Sequence, residues 1–309
     1  MKILVLGGNG FIGSHLVDKL LFEGHSVRVF DKNEEHYRKR LDGVEYHVGE
    51  FGNRGVLSDA LNGIDVVAHL ICTTLPKTSN DDPVFDIQSN VIETLFLLEQ
   101  CIANKIKKII FASSGGTIYG IPQVLPVKED DQTNPICSYG IGKLTIEKYL
   151  YLFKKLHGLD FVIIRPSNPF GSRQNPYGIQ GVIPVFLGKI SRNEPIQIWG
   201  TGGIVRDYIY IDDLVDAFNL SIVNNTISHT YNIGSGKGYS LNDLLSIMKK
   251  VTKRDFSVTY TAARAYDVPE IYLDITKASK ELQWEPLKTL EQGIKCTWDF
   301  VSNLSSQEK

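Results

Sequence analysis

MKILVLGGNGFIGSHL, residues 1–16, decides the fold. A short apolar run stops at a cluster of glycines, and an amphipathic run starts straight after it. Gly7, Gly10 and Gly13 make the pattern G-x-x-G-x-x-G. Glycine lets the backbone turn sharply and approach a pyrophosphate, and the helix that follows offers free N–H groups and the positive end of its dipole. The pattern alone is weak. Its place after a strand and at the head of a helix, opening a βαβ unit, gives it force as a dinucleotide site. The next apolar run, SVRVFD (26–31), ends at Asp31. A carboxylate there can accept both ribose hydroxyls of adenosine and repels a 2′-phosphate, which points to NAD rather than NADP. Arg28 and Lys32 are nearby cations that pull the other way. Glu50 follows the third run, VEYHVGE, where its carboxylate either reaches an adenine amine or stays solvated.

Outward from that unit the rhythm repeats. DVVAHLI, KKIIFASS and DFVIIRPS read as further strands, with helices over VLSDALNG, VIETLFLLEQCIANK and SYGIGKLTIEKYLYLFKKLHG between them. Near-continuous apolar strands belong to a sheet covered on both faces, so an α/β Rossmann-type doubly wound parallel sheet is predicted. After residue 165 the loops lengthen and fill with Pro and Gly. Residues 1–165 are expected to form the NAD-binding domain, with part of 204–235 returning to it. Residues 166–309 are expected to form a smaller mixed α/β substrate domain over the sheet's carboxyl edge, where open α/β sheets bind ligands.

The totals exclude some classes. A net charge of −2 provides no field to recruit nucleic acid or an anionic membrane. No apolar window is long enough to span a bilayer. Cys72, Cys101, Cys137 and Cys296 are far apart, without metal spacing or a disulfide framework, so no metal is expected and a reducing cytoplasm is the expected home.

Tyr139 and Lys143 stand four apart in CSYGIGK. On a helix they share a face. An ammonium and an oxidised nicotinamide ring together favour a phenolate, which must fall by roughly three pKa units to act as a base near neutrality. The strand-end turn FASSGGTIYG (111–120) supplies hydroxyls. Ser114 is the first candidate to share a substrate oxygen with Tyr139, and Thr117 the second. Ser113 is expected to satisfy backbone groups at the strand terminus.

With these motifs placed, the chain resembles the extended short-chain dehydrogenase/reductases that act on nucleotide sugars, and it looks most like their UDP-glucose 4-epimerase branch. The resemblance runs through GGNGFIGSHL, SSGGTIYG, YGIGK, RPSNPFGSRQ, WGTGGIVRDYIYIDDL, YNIGSG and DVPEIYLDITKASKELQWEP. It implies Tyr139 as base, Lys143 as its partner and Ser114 as the hydroxyl. It adds Phe11, Ile12, Lys32, Phe51, Leu70 and Asn90 to the cofactor-binding residues. For the substrate it implies Asn168 at the sugar or its phosphates, Arg206 and Arg264 on the diphosphate, and Asp267 on the nucleoside ribose. Val182 and Trp199 would line the base pocket, and Ile271 takes the position that admits or excludes an N-acetyl group. Measured from Tyr119 the catalytic hydroxyl falls on Gly115; measured from the strand it falls on Ser114, the anchor adopted here.

The expected reaction is NAD-dependent C4 epimerisation of a UDP-hexose through a transient 4-keto sugar, glucose/galactose before their N-acetyl forms. Gly115-Gly116 stand where dehydratases of the family place Asp-Glu and cannot transfer protons. UDP-glucuronate decarboxylation or epimerisation stays open, since it also begins with C4 oxidation. A non-catalytic NAD-binding redox sensor is the reading from another class; it has no use for a base. A homodimer is expected through helices 90–105 and 139–157. Leu95, Leu98, Ile146, Tyr149, Leu150 and Phe153 are candidates for that interface, and at least half of them are expected to pack on the sheet instead.

Overall fold

The computed structural model describes residues 1–76, 78–262 and 268–307. In chain order the first half contains β1 (Lys2–Leu6), α1 (Phe11–Phe22), β2 (Ser26–Asp31), β3 (Val44–Val48), α2 (Arg54–Leu61), β4 (Val66–His69), α3 (Pro83–Asp86), a π-helical turn (Ile87–Ile92), α4 (Glu93–Ala103), β5 (Lys108–Ala112), α5 (Ser138–His157) and β6 (Asp160–Pro166). The second half contains β7 (Asn168–Phe170), α6 (Val182–Ser191), β8 (Ile196–Trp199), β9 (Val205–Arg206), β10 (Tyr208–Tyr210), α7 (Ile211–Val223), β11 (Thr230–Ile233), β12 (Tyr239–Ser240), α8 (Leu241–Thr252), β13 (Val258–Thr261), β14 (Glu270–Ile271), α9 (Thr276–Leu282) and α10 (Leu290–Gln307).

Seven strands form one sheet in the order β11-β6-β5-β4-β1-β2-β3, and all its pairings are parallel. The order reverses between β1 and β4, so the crevice for a ligand opens there, beyond the strands' carboxyl ends. Successive side chains of a strand point to opposite faces. Ile3 and Val5 therefore join a core with α1, α6, α7, α8 and α10. Leu4 and Leu6 join another with α2, α4 and α5. β11 pairs with β6, and α7 packs on α1. The short strands of the second half make three small sheets, β10-β7, β12-β9-β14 and β13-β8.

One helix differs from its sequence reading. The helix read over 91–105 begins at Pro83: Asp82 caps α3 by accepting from Phe85 N at 2.9 Å, with Pro83 at the first position. The chain then runs through the π turn into α4. On α4 and α5, Leu98, Ile146 and Leu150 lie against the sheet, 0%, 2% and 1% exposed. Leu95, Tyr149 and Phe153 are only partly buried against the same core. Exposed apolar residues on these elements include Val84, Phe85, Ile87 and Ile92 before α4 and Ile141, Tyr151, Leu152 and Leu156 on α5. Among the described residues no helix is long and apolar enough to cross a membrane.

Candidate active site

The glycine turn is built as its chemistry requires. Gly7 has φ +83°, open to glycine at no steric cost. A Cβ on Gly13 would stand 2.0 Å from Gly7 O, so only glycine lets α1 start this close to the turn. Gly10 caps α1 with no side-chain bond to the first N–H groups, and Phe11 and Ile12 follow in its first turn. That end is left for an anion. Asp31 closes β2, 7% exposed. Its Oδ2 accepts from Asn9 N at 3.0 Å and its Oδ1 from Asn33 N at 2.9 Å, which fixes the carboxylate beside the turn with lone pairs to spare. Arg28 does not compete for a phosphate. It is buried under the sheet, on Glu45, Ala60 O and Asn62 O. Lys32 and Glu50 are exposed. Phe51 is 4% exposed with its ring 5.2 Å from His69, so it serves the core and has only backbone to offer a cofactor. Leu70 is half-buried and held by its N–H on Leu6 O, and the Leu70–Ile71 backbone lies over Gly7.

The second cluster lies at the start of α5. Gly140 and Gly142 weaken a helix by about 1 kcal/mol each, and at Gly140 packing requires the glycine. A Cβ on Gly140 would sit 2.9 Å from Pro135 Cβ and 3.0 Å from Thr117 O. Its absence brings α5 against the 113–117 turn. The far end of α5 closes on Gly158, at φ +75°, with Lys154, Lys155 and His157 in the last turn to complement the dipole. Tyr139 and Lys143 then share one face, Lys143 Nζ lying 5.7 Å from the Tyr139 ring centroid. Ser114, just past the end of β5, lies near enough to the Tyr139 phenol to favour its ionised form. Thr117 Oγ1 is buried without a partner, a hydroxyl that a bound ligand would satisfy. Ser113 differs from its expected role: its Oγ donates to Glu147 Oε1 at 2.5 Å, a buried carboxylate on α5.

In this chain burial pushes the Tyr139 phenol far above its ordinary range, with Cys72, Cys137 and Asp86 adding to the rise and only Ser114 opposing it. Lys143 Nζ donates to Ala112 O at 2.7 Å and lies 4.7 Å from the Phe111 ring centroid. Desolvation lowers its pKa, while Cys72, Asp86 and Glu147 raise it. The lysine alone does not make a phenolate; the remaining positive charge has to arrive with a cofactor. Asn90 is also more constrained than expected. Its Oδ1 accepts from Thr73 N at 2.9 Å, and its Nδ2 donates to Asp86 and Thr74. It shapes a cavity of about 10 Å³ that Ile71, Cys72, Asp86, Tyr139, Gly142, Lys143 and Ile146 also line.

The substrate side is organised by Asp207, which the sequence reading missed. It is 1% exposed. Its carboxylate accepts from Ser235 N and Oγ at 2.7 Å and from Gly236 N and Leu273 N at 3.3 Å. Its carbonyl accepts from Asn168 N and Nδ2 at 3.0 and 2.8 Å. Arg206 precedes it, with Nη1 on Val205 O, and pairs in register with Ile271. Ile271 is 2% exposed in a small cluster with Ile118 and Tyr119. Leu273 reaches Gly115, where a Cβ would come within 2.6 Å of Leu273 Cδ1. Val182 starts α6, half-buried, and Trp199 ends β8, 43% exposed. Arg264 and Asp267 lie outside the described residues. Among the described residues no group of His, Cys, Asp or Glu could hold a metal ion.

A profile of the NAD dependent epimerase/dehydratase family matches residues 3–234. The chain is 34% identical to a UDP-glucose 4-epimerase of Mycolicibacterium smegmatis, over 99% of this chain and 100% of that one. It superposes on the UDP-glucose 4-epimerase of Thermotoga maritima, solved with UDP-glucose, at a TM-score of 0.93 and 37% identity, covering 98% and 99% of the two chains. A UDP-glucuronic acid 4-epimerase from Bacillus cereus, solved with UDP-glucuronic acid and NAD, matches at a TM-score of 0.91 and 28% identity, covering 98% and 100%.

Proposed function

From the premise that the chain belongs to the NAD-dependent epimerase/dehydratase family, we propose that it inverts C4 of a UDP-hexose by way of a transient 4-keto sugar. UDP-glucose and UDP-galactose are the first pair and their N-acetyl forms the second. Bound NAD supplies a reversible acceptor for the C4 hydride. Gly7, Gly10, Gly13 and the first turn of α1 hold its pyrophosphate, and Asp31 its adenosine ribose. Tyr139 takes the proton of the sugar 4-hydroxyl and returns it after the ketose has turned over. Ser114 shares that oxygen, and Lys143 keeps the local charge in balance. Two proton-inert glycines in the 113–117 turn, one of them roofed by Leu273, leave no group to drive dehydration.

The turnover of the sugar needs a strong hold on the nucleotide and a loose one on the hexose. Arg206 with Arg264 on the diphosphate suits that need, because arginine binds phosphate with paired charge-assisted bonds. Asn168 would reach the sugar or its phosphates, and Asp267, Val182 and Trp199 would receive the nucleoside. By resemblance Ile271 takes the position that admits or excludes an N-acetyl group, smaller than a blocking tyrosine and larger than the residues that plainly admit one. The open apolar stripe on α3–α5 would close against a second copy of the chain, two helices from each making a four-helix contact.

The observation that carries the reading is the shared helix face of Tyr139 and Lys143, with Nζ 5.7 Å from the phenol ring centroid and Ser114 acting on the phenol from the carboxyl edge of the sheet. The test is to incubate the purified protein, without added NAD, with UDP-glucose, UDP-GlcNAc and UDP-glucuronate separately. Appearance of UDP-galactose without net NADH supports the reading. Conversion of UDP-glucuronate alone, which the likeness to the Bacillus cereus enzyme motivates, moves the substrate to a uronic acid. No conversion in any arm, with NAD tightly held, returns the chain to the redox-sensor class.

A further inference from the structure

The mechanism above uses Tyr139, Lys143 and Ser114 and leaves one buried carboxylate on the same cavity without a role. Asp86 ends α3 and is 2% exposed. Its Oδ2 accepts from Ser138 Oγ, in the first turn of α5, at 2.7 Å. Its Oδ1 accepts from Asn90 Nδ2 at 3.0 Å and from Thr74 Oγ1. Every one of these donors is uncharged, and among the described residues no cation pairs with it. Neutral donors do not cancel a carboxylate's charge as a paired cation does. The cavity it lines is shared with Tyr139 and Lys143, and Oδ2 lies 3.8 Å from the point where a Cβ on Gly142 would project.

Resting on the reading of Tyr139 as the base, we propose that Asp86 is a positioning residue for the catalytic pair: its carboxylate seats the first turn of α5 and holds Lys143 as an ammonium. Cys72 and Glu147 also raise the Lys143 pKa, and each is bound to a partner of its own. Glu147, one turn beyond Lys143, is occupied by Arg165 at 3.0 and 2.6 Å and by Ser113. His69 faces Lys143 from β4, and burial keeps it neutral, with its pKa pushed down to about 3. Cys137 precedes the helix, and burial pushes its thiol up. Cys72, after β4, donates its thiol to Thr74 O. Asp86 thus favours the proton on both members of the pair. The phenolate then forms only in company with a cationic ring, which ties the base to the oxidised cofactor.

The test compares wild type, D86N, D86E and S138A in the NAD-loaded protein, following tyrosinate absorbance against pH with Y139F as the blank. D86N should lower the Tyr139 midpoint by about one pH unit. The acid limb of kcat/KM should move by the same amount in the same direction. D86E keeps the charge and should titrate as wild type. S138A keeps the charge but loses the bond, and should lower kcat with the midpoint unmoved. Coincident midpoints in wild type and D86N, or an S138A shift as large as that of D86N, would overturn the proposal. Full activity in Y139F would instead defeat the base assignment on which it rests.

Discussion

Two buried carboxylates bear on Lys143, and they are satisfied in different ways. Glu147 faces Arg165 across a two-point ion pair, 2% and 6% exposed at the side chains, with Ser113 as a further donor. Arg165 continues to Tyr119 OH at 2.8 Å and Glu129 O at 2.9 Å, and Tyr119 donates to Asn232 at 2.7 Å. That network ties α5 to β6, to β11 and to the segment before α5. Asp86 has hydroxyls and an amide only. A matched pair cancels its own field and contributes geometry, while a carboxylate bound by neutral donors keeps its field and acts on the groups beside it. One region of α5 is therefore anchored by an ion pair and the other by neutral donors, and Tyr139 and Lys143 sit at the second.

Breaking the anchor should produce the largest effect. Arg165→Met strands Glu147 and should cost about 3–5 kcal/mol in denaturant unfolding, whereas the double change with Glu147→Met should recover much of it. An R165M cost no greater than that of the double variant would mean that the pair is not matched as described. Gly115→Ala drives a methyl into Leu273 and the Arg165 and Pro166 carbonyls, at about 1–3 kcal/mol. Leu273→Ala added to it should return part of that loss, and strict additivity would show that the two do not touch. A smaller effect comes from His69. Its folded pKa lies below the unfolded value of 6.5, at about 3, because burial and the nearby Lys143 charge oppose protonation. The unfolded chain takes the proton first, so stability is full above pH 6.5 and declines as pH falls toward 3, by about 1 kcal/mol at pH 6. His69→Gln should flatten that part of the stability–pH curve, and an unchanged slope would contradict it. Leu156→Glu should leave stability within about 0.5 kcal/mol while converting a dimer to a monomer in sedimentation; a persistent dimer would place the contact elsewhere.

The two halves of the chain were not equally legible. The glycine turn, Asp31 and the apolar strands could be read because local pattern dictates them: strands covered on both faces leave continuous runs, and a phosphate turn requires glycine. Tyr139, Lys143 and Ser114 could be placed because an i, i+4 pair and a strand end are local geometry. Asp86 was not read, although Asp82-Pro83 is a helix-start signature that would have put it on a helix. Its partners Ser138 and Thr74 are distant in sequence, so nothing local pointed to a shared cavity. Arg165–Glu147 and Leu273–Gly115 are likewise tertiary contacts. β9, β12 and β14 are two residues each, too short for any period to register. Ile146 and Ile141 show why the sequence did not sort the two faces of α5. Both are apolar on one helix, and only the fold tells which is 2% and which is 50% exposed.

The most direct measurement is UDP-glucose to UDP-galactose conversion by Tyr139→Phe, beside wild type, with NAD content checked in both. The account predicts a fall of at least about a thousandfold, the scale of losing a general base, with NAD still bound. Conversion at the wild-type rate by the phenylalanine variant would contradict it.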